Sequence, residues 1–505
     1  MKRAALLLSA AALAALGLPA HAAGTVKVTN GCVLSVPDAG STAPQKICYT
    51  LFQPPGSDAH HRVPLIFHSH GWAGSRTTTA SSFTAFTDAG YGVLSFDQRG
   101  FGEDGGKARI ENPAYEGKDV EKLVDLVSKL PWVQQDGPGD PHIGAIGGSY
   151  GGGYQFVGAF TEIADKHKQV FDALAPEITW WSLQQSLAPQ GVPKTEWDTA
   201  LTGAGANALP PEILQGFAES AAMGQWSDGS VPGTTDLNSF FAKNGPQWQV
   251  SQGRHIDVPV LFRQGITDEL FPLEQGLQNF AKALTPEARA RSIFIGYNGG
   301  HVLPNGYPLT TQPSGDPCSE QLTGGKDFTA LTVRFFDHVL KGKKDTLSGY
   351  GDYHLATADN TCTTTRSVTA NATYPVGTIA TTEAAGPPLA FKAADGPLRV
   401  AGTPVLTGSV TALGVNNRAF FALAVGTTPA DAKIVQGNVL PWASQLPVNG
   451  VAASIELPSV AVDVPKGESL YVLATGTNDM FAGFGSRTPG AVVIQGASVK
   501  VPVVS

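Results

Sequence analysis

The sequence predicts an α/β chain in two parts: a mostly parallel sheet covered by helices, followed by an all-β unit. Between residue 63 and about residue 341, short apolar runs alternate with amphipathic stretches, the pattern of buried strands joined by crossover helices. Beyond residue 349 the composition turns to Thr, Val, Ala, Gly and Pro with few Lys or Arg. Short β-prone runs between turn residues there favour a sandwich or jelly roll. Residues 180–252 fit neither rhythm; rich in Ala, Gly, Pro and Gln with helix-like pieces, they read as a helical cap inserted over a sheet edge.

In chain order, Lys2 and Arg3, the apolar stretch 4–18 and Ala20-His21-Ala22 have the layout of a secretory signal peptide over 1–22. The first unit is expected over 23–345, with the cap at about 180–252, and the β unit over 350–505. Strands are expected at 63–67, 92–96, 143–146, 258–262 and 292–295. Helices are expected over 116–130, where Val120, Leu123, Val124, Val127 and Leu130 share one face, and over 328–340. In the β unit, 398–400, 419–425, 470–473 and 491–494 are the β-prone runs. Four cysteines in an exported chain favour disulfides. Local closure suggests Cys32 with Cys48 and Cys318 with Cys362, although three pairings are open.

Composition excludes some functions. A net charge of −8 over 505 residues, without a Lys/Arg cluster, gives no attraction for nucleic acid. No segment after the signal holds about 18 uninterrupted apolar residues, so no stable membrane anchor is expected, and the location is read as secreted or periplasmic. No C-x-x-C or H-x-x-x-H spacing suggests a metal, and no cofactor is called for.

Gly147-Gly148-Ser149-Tyr150-Gly151 fits G-x-S-x-G. In a chain with 59 glycines the bare pattern is weak, but here it follows an apolar strand and precedes a helix-competent run, the context of a nucleophile elbow in an α/β-hydrolase core. A serine hydroxyl needs a base and an orienting carboxylate, expected in the order Ser, Asp or Glu, His. His301 follows a predicted strand in Asn298-Gly299-Gly300-His301, whereas His338 falls inside a helix. Asp268 follows another predicted strand; Glu269 is its neighbouring rival, and an N-cap role would give Asp268 the same sequence setting. Oxyanion donors are expected from the backbone N–H of Tyr150 and of Trp72, in the loop after the first core strand. His68 and His70 in that loop read as structural.

These motifs, with Asp97-Gln98-Arg99-Gly100-Phe101-Gly102, Pro131-Trp132-Val133 and the late β unit, resemble the Xaa-Pro dipeptidyl-peptidase and cocaine-esterase family. The resemblance implies an α/β-hydrolase core, a helical cap and a C-terminal jelly roll, with acyl-enzyme chemistry on small esters, amides or peptides. The family often uses a tyrosine in the first oxyanion loop, where this chain has His70-Gly71-Trp72, which points to backbone donors. A dipeptidyl-peptidase also needs carboxylates for the substrate ammonium, for which Glu103, Asp104 and Glu177 are the candidates. The turn at 97–102 is expected to pack beside the elbow. Trp180, Trp181, Trp197 and Phe217 are expected to form the cap's own core or to line an apolar pocket. An acyltransferase with the same triad, or a non-catalytic surface-binding protein, are the alternative functions; Trp442, alone among tryptophans of the β unit, speaks against a sugar platform.

Overall fold

The computed structural model describes residues 24–303, 313–381, 388–481 and 491–504. The expected signal peptide therefore lies outside the described residues. The first unit contains β1 (Lys27–Pro37), β2 (Pro44–Gln53), β3 (Leu65–Ser69), β4 (Gly92–Phe96), a side hairpin of β5 (Gln135–Gly137) and β6 (Asp140–Pro141), β7 (Ile143–Gly148), β8 (Phe171–Glu177), β9 (Leu261–Gly265), β10 (Ile293–Tyr297), β11 (Tyr353–Ala356) and β12 (Cys362–Thr365). Apart from the hairpin they form one sheet in the order β1-β2-β4-β3-β7-β8-β9-β10-β11-β12. Neighbours from β4 to β11 are parallel, and β1, β2 and β12 add antiparallel edges.

Consecutive apolar residues in the central strands serve opposite faces of this sheet. Phe67, Phe262 and Phe294 join Val120, Leu123 and Phe160 in one core. Ile66, Leu261 and Ile295 join Phe335 and Phe336 in the other. Helices α2 (Glu116–Val127) and α3 (Tyr150–Lys166) cover the first face; α1 (Thr84–Asp88) and α12 (Phe328–Val339) cover the second. The cap consists of α4 (Leu183–Leu187), α5 (Thr195–Gly205), α6 (Pro211–Met223), α7 (Leu237–Phe241) and α8 (Pro246–Ser251). Helices α9 (Leu273–Gln278), α10 (Pro286–Ala290) and α11 (Pro317–Thr323) complete the first unit.

Two expected strands begin later than the apolar runs. Pro64 and Pro259 have no N–H to give a ladder, so β3 starts at Leu65 and β9 at Leu261, while Val63 and Val260 make only isolated bridges. Several strands lie outside the expected ranges, among them β1, an edge with mostly exposed side chains, β2 between it and β4, and β8, which Asp172 and Pro176 interrupt. The sheet also runs past residue 350, the expected start of the β unit, because β11 and β12 extend its edge. The cysteines pair as local closure suggests, Cys32 with Cys48 and Cys318 with Cys362.

The β unit has one sheet of β13 (Ala372–Ala380), β23 (Val492–Val501), β16 (Val405–Ala412) and β20 (Val448–Glu456). A second contains β14 (Leu389–Asp395), β22 (Ser469–Thr475), β17 (Asn417–Gly426), β18 (Lys433–Ile434) and β19 (Leu440–Ser444), and β15 (Leu398–Gly402) pairs with β21 (Val460–Val464). Strand β17 is buried at nearly every residue. Ala419, Phe421 and Leu423 face the sandwich core, and Phe420, Ala422 and Ala424 face the cap. The second sheet is thus a wall shared by both units. Among the described residues, no helix is long and apolar enough to cross a membrane.

Candidate active site

Loops at the carboxyl ends of parallel strands meet over the sheet, where open α/β sheets place their ligand crevices. After β7 the chain turns at Ser149, with φ 58° and ψ −123°, straight into α3. A side chain at Gly151 would collide with the Ser69 carbonyl, so the close approach of α3 to β3 requires glycine there. The Ser149 N–H is held by Glu177 O at 3.0 Å. Tyr150 opens the helix, a position whose N–H has no intrahelical acceptor.

The structure brings the expected triad residues together. His301 Nε2 lies 2.8 Å from Ser149 Oγ, and His301 Nδ1 lies 2.7 Å from Asp268 Oδ2. Asp268 is fully buried, and its Oδ1 accepts the N–H groups of Leu270 and Phe271 at 2.9 and 2.7 Å. Oδ1 thus closes a turn of its own loop and Oδ2 faces His301; the capping alternative fails, because helix α9 begins after Pro272 with no side-chain cap. Glu269, the rival, donates its N–H to His301 O at 2.8 Å and does not replace Asp268. Gly300 has φ 116°, and a Cβ there would stand 2.6 Å from the Asp268 side chain. The base loop approaches the acid this closely because Gly300 has no side chain.

The loop after β3 abuts the serine: a Cβ on Gly71 would be 3.8 Å from Ser149 Cβ. His70 Nε2 accepts the Gln98 N–H at 3.0 Å, which leaves Nδ1–H to donate to Gly71 O at 2.8 Å. Burial lowers the pKa of His70, in keeping with this neutral tautomer. Gly71 O also accepts Gly74 N–H. Because a planar trans peptide opposes its C=O and N–H, the Trp72 N–H points the other way. His68 is likewise structural, held at 2.9 Å from Ser95 Oγ and pushed down to about 4 by burial. The turn at 97–102 reaches the site through Phe101, whose ring lies 4.8 Å from Trp72 and 5.9 Å from Tyr150.

An apolar pocket opens at Ser149, lined by Trp72, Trp180, Leu183, Leu201, Leu209 and Phe271 among others. Phe217 lines it too, while packing inside the cap against Trp226 and stacking on Phe241. Trp197 sets its edge against His301, and Trp181 packs in the sheet core. Among the described residues the lining contains no charged side chain. The three candidate carboxylates are engaged elsewhere: Glu103 pairs with Arg76, Asp104 accepts the Cys48 N–H, and Glu177 pairs with Arg263.

Sequence reasoning missed the residues that hold the acid loop. Lys194, buried at the start of the cap helix α5, donates to Glu269 O at 2.6 Å and Leu270 O at 3.1 Å; desolvation lowers its pKa to about 8. Gln264 donates to Phe271 O at 2.5 Å, and Asn438 of the β unit donates to Asp268 O at 2.7 Å. Lys194 and Asn438 lie far away in sequence and Gln264 only a few residues before Asp268, but a lone Lys, Gln or Asn carries no motif, so no signal marked them.

The sheet, elbow and cap define an α/β-hydrolase. The chain belongs to the X-Pro dipeptidyl-peptidase (S15) family, whose sequence model matches residues 45–302. Over 114 residues it is 35% identical to an uncharacterized 31.7 kDa protein in the traX-finO intergenic region of Escherichia coli, a match covering 22% of this chain and 37% of that protein. The chain therefore spans about a third of the length of that curated relative. Similar solved structures include a CocE/NonD family hydrolase from Staphylococcus aureus (TM-score 0.62, 13% identity, 97% of this chain and 100% of that one). Others are an α-amino acid ester hydrolase (0.65, 13%, 94% and 97%) and an aminopeptidase from a marine sediment Thaumarchaeota archaeon (0.64, 13%, 98% and 99%). At such identities the likeness establishes the fold.

Proposed function

We propose that this chain is an exported serine hydrolase that cleaves small esters with an uncharged, apolar acyl group through a Ser149-His301-Asp268 acyl-enzyme mechanism. The observation that carries this reading is the unbroken line from Asp268 Oδ2 through His301 to Ser149 Oγ, at 2.7 and 2.8 Å, beneath an apolar pocket. His301 takes the Ser149 proton as Oγ attacks the ester carbonyl, and Asp268 stabilises the imidazolium that forms. The N–H groups of Tyr150 and Trp72 receive the oxyanion. His301 then protonates the leaving alcohol, and water releases the acid by the same steps in reverse.

The pocket lining favours an ester with an apolar acyl group over a peptide with a free amino end. An ammonium entering it would lose its water and meet no carboxylate, whereas an acyl chain gains by burial. Peptidase is the family's name and ester hydrolase that of one structural neighbour, so both substrates belong in the test. Two disulfides fit an oxidising compartment. With a nitrophenyl ester and an Xaa-Pro nitroanilide, wild type is expected to turn over the ester, and Ser149→Ala to lose that turnover. Preference for the anilide would sink the apolar-acyl reading.

A further inference from the structure

The segment 435–439 joins β18 to β19 and enters the junction between the β unit and the triad loops. It carries Gln436 and Asn438, 3% and 4% exposed. Asn438 Nδ2 donates to the Asp268 carbonyl at 2.7 Å. Gln436 Nε2 donates to Asn298 Oδ1 at 2.8 Å and to Ala356 O at 3.0 Å, while its Oε1 accepts Ala461 N–H at 2.9 Å. Asn298 begins the loop that ends at His301, and its own Nδ2 donates to Thr357 O at 2.8 Å. Gln436 keeps these bonds at φ 53°, a backbone region unfavourable for a residue with a side chain.

Four successive carbonyls of the acid loop are each taken by a side chain from outside the loop: Asp268 O by Asn438, Glu269 O and Leu270 O by Lys194, and Phe271 O by Gln264 of the preceding strand. Fixing a carbonyl also aims the N–H of the same peptide. The Leu270 and Phe271 N–H groups are therefore aimed at Asp268 Oδ1, which leaves Oδ2 for His301. The backbone bond from Glu269 N–H to His301 O ties the acid and base loops together. One loop of the β unit thus touches both.

We propose that Asn438 and Gln436 are positioning residues for the acid and the base, so that the β unit completes the active site instead of standing beside it. This rests on the triad reading above.

The test uses the full chain and the nitrophenyl ester. N438L keeps the branched outline and the number of heavy atoms and removes the donor; N438D keeps the shape and can donate to Asp268 O only while its carboxyl is protonated. In N438L, folded by circular dichroism, kcat should fall about 10–100-fold with KM changed by less than about 2-fold, the cost of misplacing reacting groups by a fraction of an ångström. In N438D, kcat relative to wild type should fall as pH rises. An unchanged kcat in folded N438L overturns the proposal, and so does an N438D deficit that is the same at every pH, which a merely structural asparagine would give. If N438L does not fold, the N438D pH series decides. Ser149→Ala in parallel separates the two readings. Turnover surviving in Ser149→Ala overturns the triad and the positioning role with it, whereas lost turnover there with full activity in both Asn438 variants overturns the positioning role alone.

Discussion

The two sheets of this protein differ in how they use their strands. In the ten-stranded sheet, parallel strands end together, and the loops at their carboxyl ends bring Ser149, Asp268 and His301 within hydrogen-bond reach although 152 residues separate the serine from the histidine. Among the described residues, the β sandwich brings no side chain into that line. Its second sheet forms a wall for the cap through Phe420 and Ala422, and its loop at 435–439 grips the main chain of the acid and base loops. The proposed chemistry is concentrated on one unit, while part of its geometry is held by the other.

Substitutions in the proposed triad should therefore dwarf all others. Ser149→Ala is expected to lower kcat about 10⁶-fold and Asp268→Asn about 10⁴-fold, the latter by freeing the wrong imidazole tautomer. Steady-state kinetics on the ester measures both; equal, small losses would mean that the line of hydrogen bonds is not the reaction path.

The disulfides sharpen the contrast in stability, since both lie in the first unit. Breaking Cys318–Cys362, with a sequence separation of 44, should cost about 4 kcal/mol, and breaking Cys32–Cys48, with a separation of 16, about 3 kcal/mol on the loop-entropy estimate. Urea unfolding of paired Cys→Ser variants checks this order. After these come the Asn438 variants, which probe the sandwich's contribution directly. Leu201→Ala, which enlarges the pocket wall, should shift the kcat/KM ratio of longer over shorter acyl esters about 10-fold. A uniform change across chain lengths would remove Leu201 from the acyl site.

The smallest effect concerns Glu111, at φ 58°. Its two carboxyl oxygens are buried without hydrogen-bond partners, and burial, then Glu116 and Asp119, raise its pKa well above the ordinary range. The folded state thus holds this proton to higher pH than the unfolded chain does. The stability it contributes is present below the ordinary Glu pKa and is lost as pH rises through the raised value. Glu111→Gln removes the dependence, so its Tm should gain on wild type at pH 8 and not at pH 4; equal differences at both pH values would contradict this.

The strands 92–96, 143–146 and 292–295 were readable because strands buried on both faces write continuous apolar runs. Edge strand β1 and the polar-interrupted β8 write no such run and were not readable. The carboxylates proposed for a substrate ammonium illustrate the same limit: Glu103, Asp104 and Glu177 lie near the motifs in sequence, yet their partners are Arg76, Cys48 and Arg263. Proximity in sequence does not say which way a side chain faces.

The alternating α/β pattern, the elbow around Ser149 and the order of the proposed triad residues were legible in the sequence alone, because these depend on local periodicity and on glycine where the backbone must turn. Only the tertiary structure decided that the pocket is apolar, that both Asp268 oxygens are occupied, and that Lys194 and Asn438 hold the loop between them. Those contacts join residues from the core, the cap and the sandwich, and a buried polar group finds its partner by position in space, which leaves no periodic trace along the chain.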